Sequence, residues 1–139
     1  MIGYIMFRLA DRELACRLDD VREVVRLTGL EVLPGMTPPV SGWLELRGNP
    51  LPIVDLRPGD AASRAAERGD VLVLATGVEA IGVVVNQVTA VHDEDELLAV
   101  GDDRPAGLPH YVVEVLRRGG VGPPVLLVDL QRLLTVAAA

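Results

Sequence analysis

The chain has 139 residues, half of them hydrophobic, with a formal charge of −7 at pH 7 and four aromatic side chains. All thirteen Lys/Arg positions are Arg, which excludes Schiff-base lysine chemistry and the phosphate-binding lysine of a P-loop. These arginines are scattered and outnumbered by twenty acids, so no nucleic-acid partner is expected; no apolar run approaches the ~20 residues of a membrane-spanning helix, so direct membrane insertion is not expected either. The apolar start, Met1 to Phe7, lacks a charged n-region and does not read as a signal peptide. With Cys16 as the single cysteine, a reducing cytoplasmic setting is expected.

In chain order, short β-type runs dominate: Tyr4–Leu9, Leu14–Leu18, Pro52–Leu56, Val71–Thr76, Ala80–Val85, Tyr111–Leu116 and Val125–Asp129. Gly, Pro and Asp punctuate them at short intervals, the pattern of an all-β barrel or sandwich. Helical expectations are brief. Asp19 or Asp20 is placed to cap a turn or two through Val25, and Asp93 with Glu96 to form a capping box before Leu97 and Leu98. Asp129 to Leu134 reads as a last amphipathic turn.

An internal repeat organises these runs. At an offset of 67, Tyr4 to Phe7 fall on Val71 to Leu74, and Leu14, Cys16 and Leu18 on Ile81, Val83 and Val85. Asp19 then meets Asn86, while Val21 and Val24 meet Val88 and Val91. Leu-Pro-Ile-Val-Asp-Leu (51–56) echoes Val-Leu-Leu-Val-Asp-Leu (125–130) at an offset of 74. The reading is one domain over 1–139, built from two β halves at approximately 1–57 and 70–134. An exposed Ala-, Arg-, Gly- and Asp-rich link joins them, and the halves share a core with a groove where they meet.

No catalytic constellation, cofactor motif or metal site emerges. One Cys and two distant His residues, His92 and His110, do not supply a zinc site, and neither Ser41 nor Ser63 lies in Gly-x-Ser-x-Gly. The acidic run Asp93–Glu96 lacks the alternation of a calcium loop, and reads as a solvated helix start. Asp55 and Asp129 end strands without the Thr/Ser-Gly of an acid protease, and read as caps for the following turn.

Two charged residues remain in apolar settings, Glu23 in Val-Arg-Glu-Val-Val and Arg47 in Gly-Trp-Leu-Glu-Leu-Arg-Gly. Those segments resemble the CheW-like domain family, together with Pro-Ile-Val-Asp-Leu (52–56), Gly-Val-Val-Val-Asn-Gln-Val-Thr-Ala-Val (82–91) and Val-Leu-Leu-Val-Asp-Leu-Gln-Arg-Leu-Leu (125–134). The resemblance runs from about Tyr4 to Leu134. It implies two SH3-like five-stranded β-barrel subdomains with short helices. It also implies a non-enzymatic adaptor whose partners are a chemoreceptor cytoplasmic tip and the regulatory domain of a CheA-type histidine kinase. By that resemblance the partner-binding residues are Val21, Glu23, Gly42, Arg47, Gly82, Val88 and Val91. Glu45 stands where the family has Asn, on the same strand face as Arg47, so either Glu23 or Glu45 is available to the guanidinium. A CheW-like scaffold of another pathway, such as pilus motility, and a small-ligand-binding barrel are the alternative readings.

Overall fold

The computed structural model describes residues 2–37, 39–76, 79–99 and 106–138. Two antiparallel hairpins carry the architecture: β1 (Gly3–Leu9) with β2 (Arg12–Arg17), and β6 (Asp70–Thr76) with β7 (Glu79–Val85). The centres of their strands are apolar runs because both faces are buried there, the situation that suppresses polar alternation in strands. Ile5 and Phe7 on one hairpin and Leu72 and Leu74 on the other meet in a central core, joined by Leu14, Cys16, Val83 and Val85. The opposite faces fill separate cores: Met6 and Ala15 pack with Leu116 and Leu127, while Val71 and Val73 pack with Leu44 and Ile53. The expected all-β fold with short helices is what the structure has, in two curled sheets consistent with two SH3-like β subdomains, one of six strands rather than the expected five and one of five.

The strands that complete each sheet come from the other half. The first sheet runs β8 (Gln87–Asp93), β1, β2, β11 (Pro124–Val128), β10 (Val112–Arg118), β9 (Leu97–Ala99). The second runs β3 (Glu23–Arg26), β6, β7, β5 (Asn49–Asp55), β4 (Gly42–Leu46). Each half of the chain, 1–57 and 70–134, thus gives its hairpin to one sheet and its later strands to the other. Two crossovers bring this about, a 3-10 turn at Leu18–Asp20 between β2 and β3, and Asn86 between β7 and β8. The Asn86 side chain accepts the Ala10 N–H at 2.7 Å, and Asp70 Oδ2 accepts the Val88 N–H at 2.8 Å. The second crossover is thereby tied to both hairpins.

The repeat survives the exchange, register by register. Val24 pairs with Leu72 as Val91 pairs with Ile5, and Glu23 with Val73 as Ala90 with Met6. The parallel additions agree as well, since Ile53 lies against Gly82 as Leu127 lies against Ala15. The offsets of 67 and 74 are therefore backbone equivalences.

Three local expectations change. The segment after Asp20 is the edge strand β3, since alternate residues Val21 and Val25 bury while Arg22, Val24 and Arg26 stay exposed, a period of two. Glu96 does reach back, accepting the Asp93 N–H at 3.1 Å, but it closes a tight turn into β9 and starts no helix. The link after β5 contains α1 (Ala61–Ala66), with Asp60 accepting the Ser63 N–H at 2.8 Å, and Arg57, two residues past β5, is buried. At the C-terminal end α2 (Leu130–Ala138) forms as expected, capped by Asp129 and packing Leu130 and Leu133 on the central core.

Candidate functional site

Arg47 and Gly48 are the two loop residues between paired Leu46 and Asn49, and both have positive φ, 50° and 82°. That is the turn type whose twist matches a tight hairpin, and its first position ordinarily takes Asn or Gly rather than Arg. Arg47 thus sits at the tip of the β4–β5 hairpin in a strained left-handed conformation. Its Nη2 donates to Glu23 Oε2 on β3, the strand at the opposite end of the same sheet. The bond joins the two edges of the sheet at one mouth of the barrel. The hydrogen bond that Glu23 accepts, then its charge, holds the guanidinium pKa above its ordinary value. Arg47 keeps 69% of its side chain exposed and Glu23 21%, so the cation is positioned yet open to a partner.

Glu45 is exposed and forms no ion pair among the described residues, which leaves Glu23 as the partner of Arg47. The second carboxylate oxygen of Glu23 and the indole Nε1 of Trp43 are buried, and neither has a hydrogen-bond partner among the described residues. Trp43 exchanges both backbone hydrogen bonds with Glu31, each at 2.8 Å, so the chain leaving β3 is laid back along β4. This close approach is why residue 42 is Gly: a Cβ there would stand 2.6 Å from the Glu31 carbonyl oxygen.

The remaining expected residues divide by face. Val21 and Val88 pack against the central core, whereas Val24 and Val91 are 40% and 53% exposed. Val21 with Val24, and Val88 with Val91, therefore do not present themselves on one surface; residues three apart on a strand point to opposite sides. Gly82 is interior, and a Cβ there would lie 2.6 Å from Ile53 Cδ1 and 2.7 Å from Val71 Cγ1. Gly42 and Gly82 thus serve packing and offer no open surface.

Two arrangements escaped sequence reasoning. Asp55 caps the following turn by accepting the Arg57 N–H at 3.0 Å, but its carboxylate also receives Arg57 Nε at 3.0 Å and Nη2 at 2.8 Å, both side chains nearly sealed from solvent. Arg57 Nη1 adds bonds to the Glu67 and Arg68 carbonyls, so the start of the link is stapled to its end. The Asp-x-Arg spacing at a strand end was its only signal. The other is a clasp in the first sheet, where His92 lies between Glu96 Oε2 at 2.8 Å and Arg118 Nη2 at 2.9 Å. These groups come from β8, the following turn and β10, and spacing alone does not bring them together.

The chemistry elsewhere is passive. Burial, and secondarily Asp20, push the Cys16 thiol up to about 12, far from a reactive thiolate. Asp93, Asp95 and Glu96 bring exposed carboxylates within 4.8 Å of one another, but Glu96 is already engaged by His92 and the Asp93 N–H. A cleft of about 430 Å³ lies where α2 meets the first crossover, lined by Asp19, Asp20, Arg22 and Asp129 around Leu74 and Leu130. No helix among the described residues is long and apolar enough to cross a membrane.

The CheW-like domain profile matches residues 3–138. The chain belongs to that family. Among solved structures, the scaffolding protein TtCheW from Thermoanaerobacter tengcongensis superposes with a TM-score of 0.66 at 18% identity, over 92% of this chain and 88% of that one. No curated protein sequence matches the chain. The CheW-like family is one of scaffolds rather than enzymes, in keeping with a site made of one presented cation, an orienting carboxylate and exposed valines.

Proposed function

We propose that this CheW-like chain is a cytoplasmic signalling scaffold that couples a chemoreceptor's cytoplasmic tip to the regulatory domain of a CheA-type histidine kinase. The observation that supports this reading best is the strained, exposed Arg47 held across the barrel mouth by Glu23. Left-handed strain at a non-glycine residue persists where the position serves something other than stability. An exposed guanidinium, fixed in direction by a single carboxylate, sets the orientation of a docked protein and suppresses wrong partners more than it adds affinity. Val91 and Val24 supply exposed apolar area on the two edge strands, and Val21 and Val88 hold those strands on the core. A helical hairpin lying along such strands is recognised by helix-in-groove burial, and two separate partner surfaces on one small domain give multivalent assembly.

The test is capture of a receptor cytoplasmic fragment and of a kinase regulatory domain by the purified chain and by Arg47→Glu. The wild-type chain retains both; the variant, with unchanged circular dichroism and melting, loses at least one. Equal capture by the two proteins would refute the site.

A further inference from the structure

The first sheet is closed at its mouth through a histidine. At the offset of 67, His92 on β8 is the counterpart of Val25 on β3: His92 lies opposite Tyr4 in one ladder as Val25 lies opposite Val71 in the other. Val25 packs on the core of its sheet, and Tyr4 and Ala90 pack on that of the first. His92 shares the inward face of β8 with Ala90 and keeps only 12% of its side chain exposed, at a position where a valine suffices in the duplicate. β8 and β9 are the two end strands of the sheet, and among the described residues no ladder joins them. The imidazole spans that gap. Its Nδ1 lies 2.8 Å from Glu96 Oε2 in the turn before β9, and its Nε2 lies 2.9 Å from Arg118 Nη2 on β10.

These two partners fix the proton on the ring. A guanidinium only donates and a carboxylate only accepts, so Nδ1 carries the hydrogen and Nε2 offers its lone pair. The ring held in this way is neutral. Glu96 stays charged, because the hydrogen bond from His92, then that from the Asp93 N–H, holds its carboxyl below its ordinary 4.5. The other ionisable groups around the ring are Tyr4, opposite it on β1, and Arg17, opposite Tyr4 on β2. Glu114 shares the Arg118 face of β10, Asp93 ends β8, and Glu94 and Asp95 lie in the turn. Arg117 is engaged by the Gly122 carbonyl at 2.9 Å, and β9 and β11 carry no ionisable side chain. Among the described residues, Arg118 is therefore the cation bonded to the ring.

We infer that His92 is a proton-operated latch on the first sheet: it joins β8 to β10 while neutral, and releases Arg118 when its Nε2 takes a proton from solvent. Histidine is the side chain whose charge ordinarily changes between about pH 5 and 8. The second proton occupies the lone pair that Arg118 uses and sets two like charges in contact, which drives the guanidinium away. The bond to Glu96 is kept and becomes an ion pair. What loosens is local. β9 has three residues and pairs with β10 alone, and its Leu97, opposite Arg118 in that ladder, plugs the core behind the mouth. The β6–β7 hairpin contributes no group to the latch and does not follow.

NMR of the full chain tests this. At about pH 8 the imidazole nitrogens of His92 should report a protonated Nδ1 and a bare Nε2. On lowering the pH to about 5, Nε2 should gain its proton, and in the same step the Arg118 side chain should change from a fixed to a freely rotating guanidinium. The backbone amides of residues 97–99 should shift with it, and those of 71–74 should stay in place. His92→Gln, which does not titrate, should leave the Arg118 and β9 signals level over the same range. A protonated Nε2 beside a bare Nδ1 at about pH 8, or a guanidinium that stays fixed after Nε2 is protonated, would overturn the latch on the wild-type chain alone. The same drift of Arg118 and β9 in His92→Gln would assign it to another group and refute the latch equally.

Discussion

The two sheets are copies in register and differ in how each is finished. Where the second sheet has Glu23 reaching Arg47 across its mouth, the first has Ala90 at the equivalent ladder position. Its mouth is drawn together instead by β9 and by the His92–Glu96–Arg118 clasp. The strand ends diverge in the same manner. Asp55 is locked in a buried pair with Arg57, both side chains at 3% exposure or less. Its counterpart Asp129 caps α2 through the Arg132 N–H and faces Arg132 Nε at 3.8 Å in the open. The lesson is that backbone pairing preserves the duplicated frame, while side chains outside the shared core are free to take on separate tasks. Presentation of a cation fell to the second sheet.

The largest asymmetry is expected at the two aspartates. Asp55→Ala strands a buried guanidinium and should cost about 3–5 kcal/mol, whereas Asp129→Ala removes a helix cap for about 1 kcal/mol. Urea denaturation of both variants measures the difference, and equal losses would break the contrast between a buried staple and a surface cap. Next comes the matched small pair at the parallel additions. Gly82→Ala forces a methyl against Ile53 and Val71, so about 1–3 kcal/mol is expected. Ala15→Gly, at the equivalent position in the first sheet, removes a methyl that already fits and should cost about 1 kcal/mol.

A smaller effect is expected from acid. Burial, and then the charge of Asp129, raise the Asp20 carboxyl above its ordinary 3.8, against the pull of Arg17. The folded chain holds that proton more tightly than the unfolded one, so this group weakens the fold as pH rises from 3.8 through the raised value. Asp20→Asn should therefore raise stability at pH 7, with the gain disappearing below pH 3.8; a gain that grows on acidification would contradict the assignment. Smallest is the turn itself. Arg47→Asn suits the left-handed position better, so melting should stay level or rise slightly while partner capture falls. Loss of both together would mean that Arg47 serves the fold.

How far this was legible follows from which signals are local. The hairpins are runs of apolar residues, and their repetition at an offset of 67 made the duplicated plan readable from Tyr4, Leu14, Val71 and Ile81 alone. Strand exchange was not, because pairing β3 with β6 and β8 with β1 depends on contacts far apart in sequence, and a repeat looks the same exchanged or not. Short strands at 23–26 and 97–99 were hidden by aspartates that serve helix starts and tight turns equally well. At the site, the residue types at Glu23 and Arg47 were visible, but their meeting across the barrel and the positive φ of Arg47 needed the fold. Gly42 and Gly82 show the converse, since a glycine within an interaction motif and a glycine excluded from side-chain space by packing read alike.

The central claim is that one domain holds two partners together through distinct surfaces. Analytical ultracentrifugation of a receptor cytoplasmic fragment and a kinase regulatory domain, with and without the chain, tests it most directly. A single species containing all three components should form only when the chain is present, and Arg47→Glu should abolish it. Two separate binary complexes that never combine, or a three-component species indifferent to Arg47, would contradict the account.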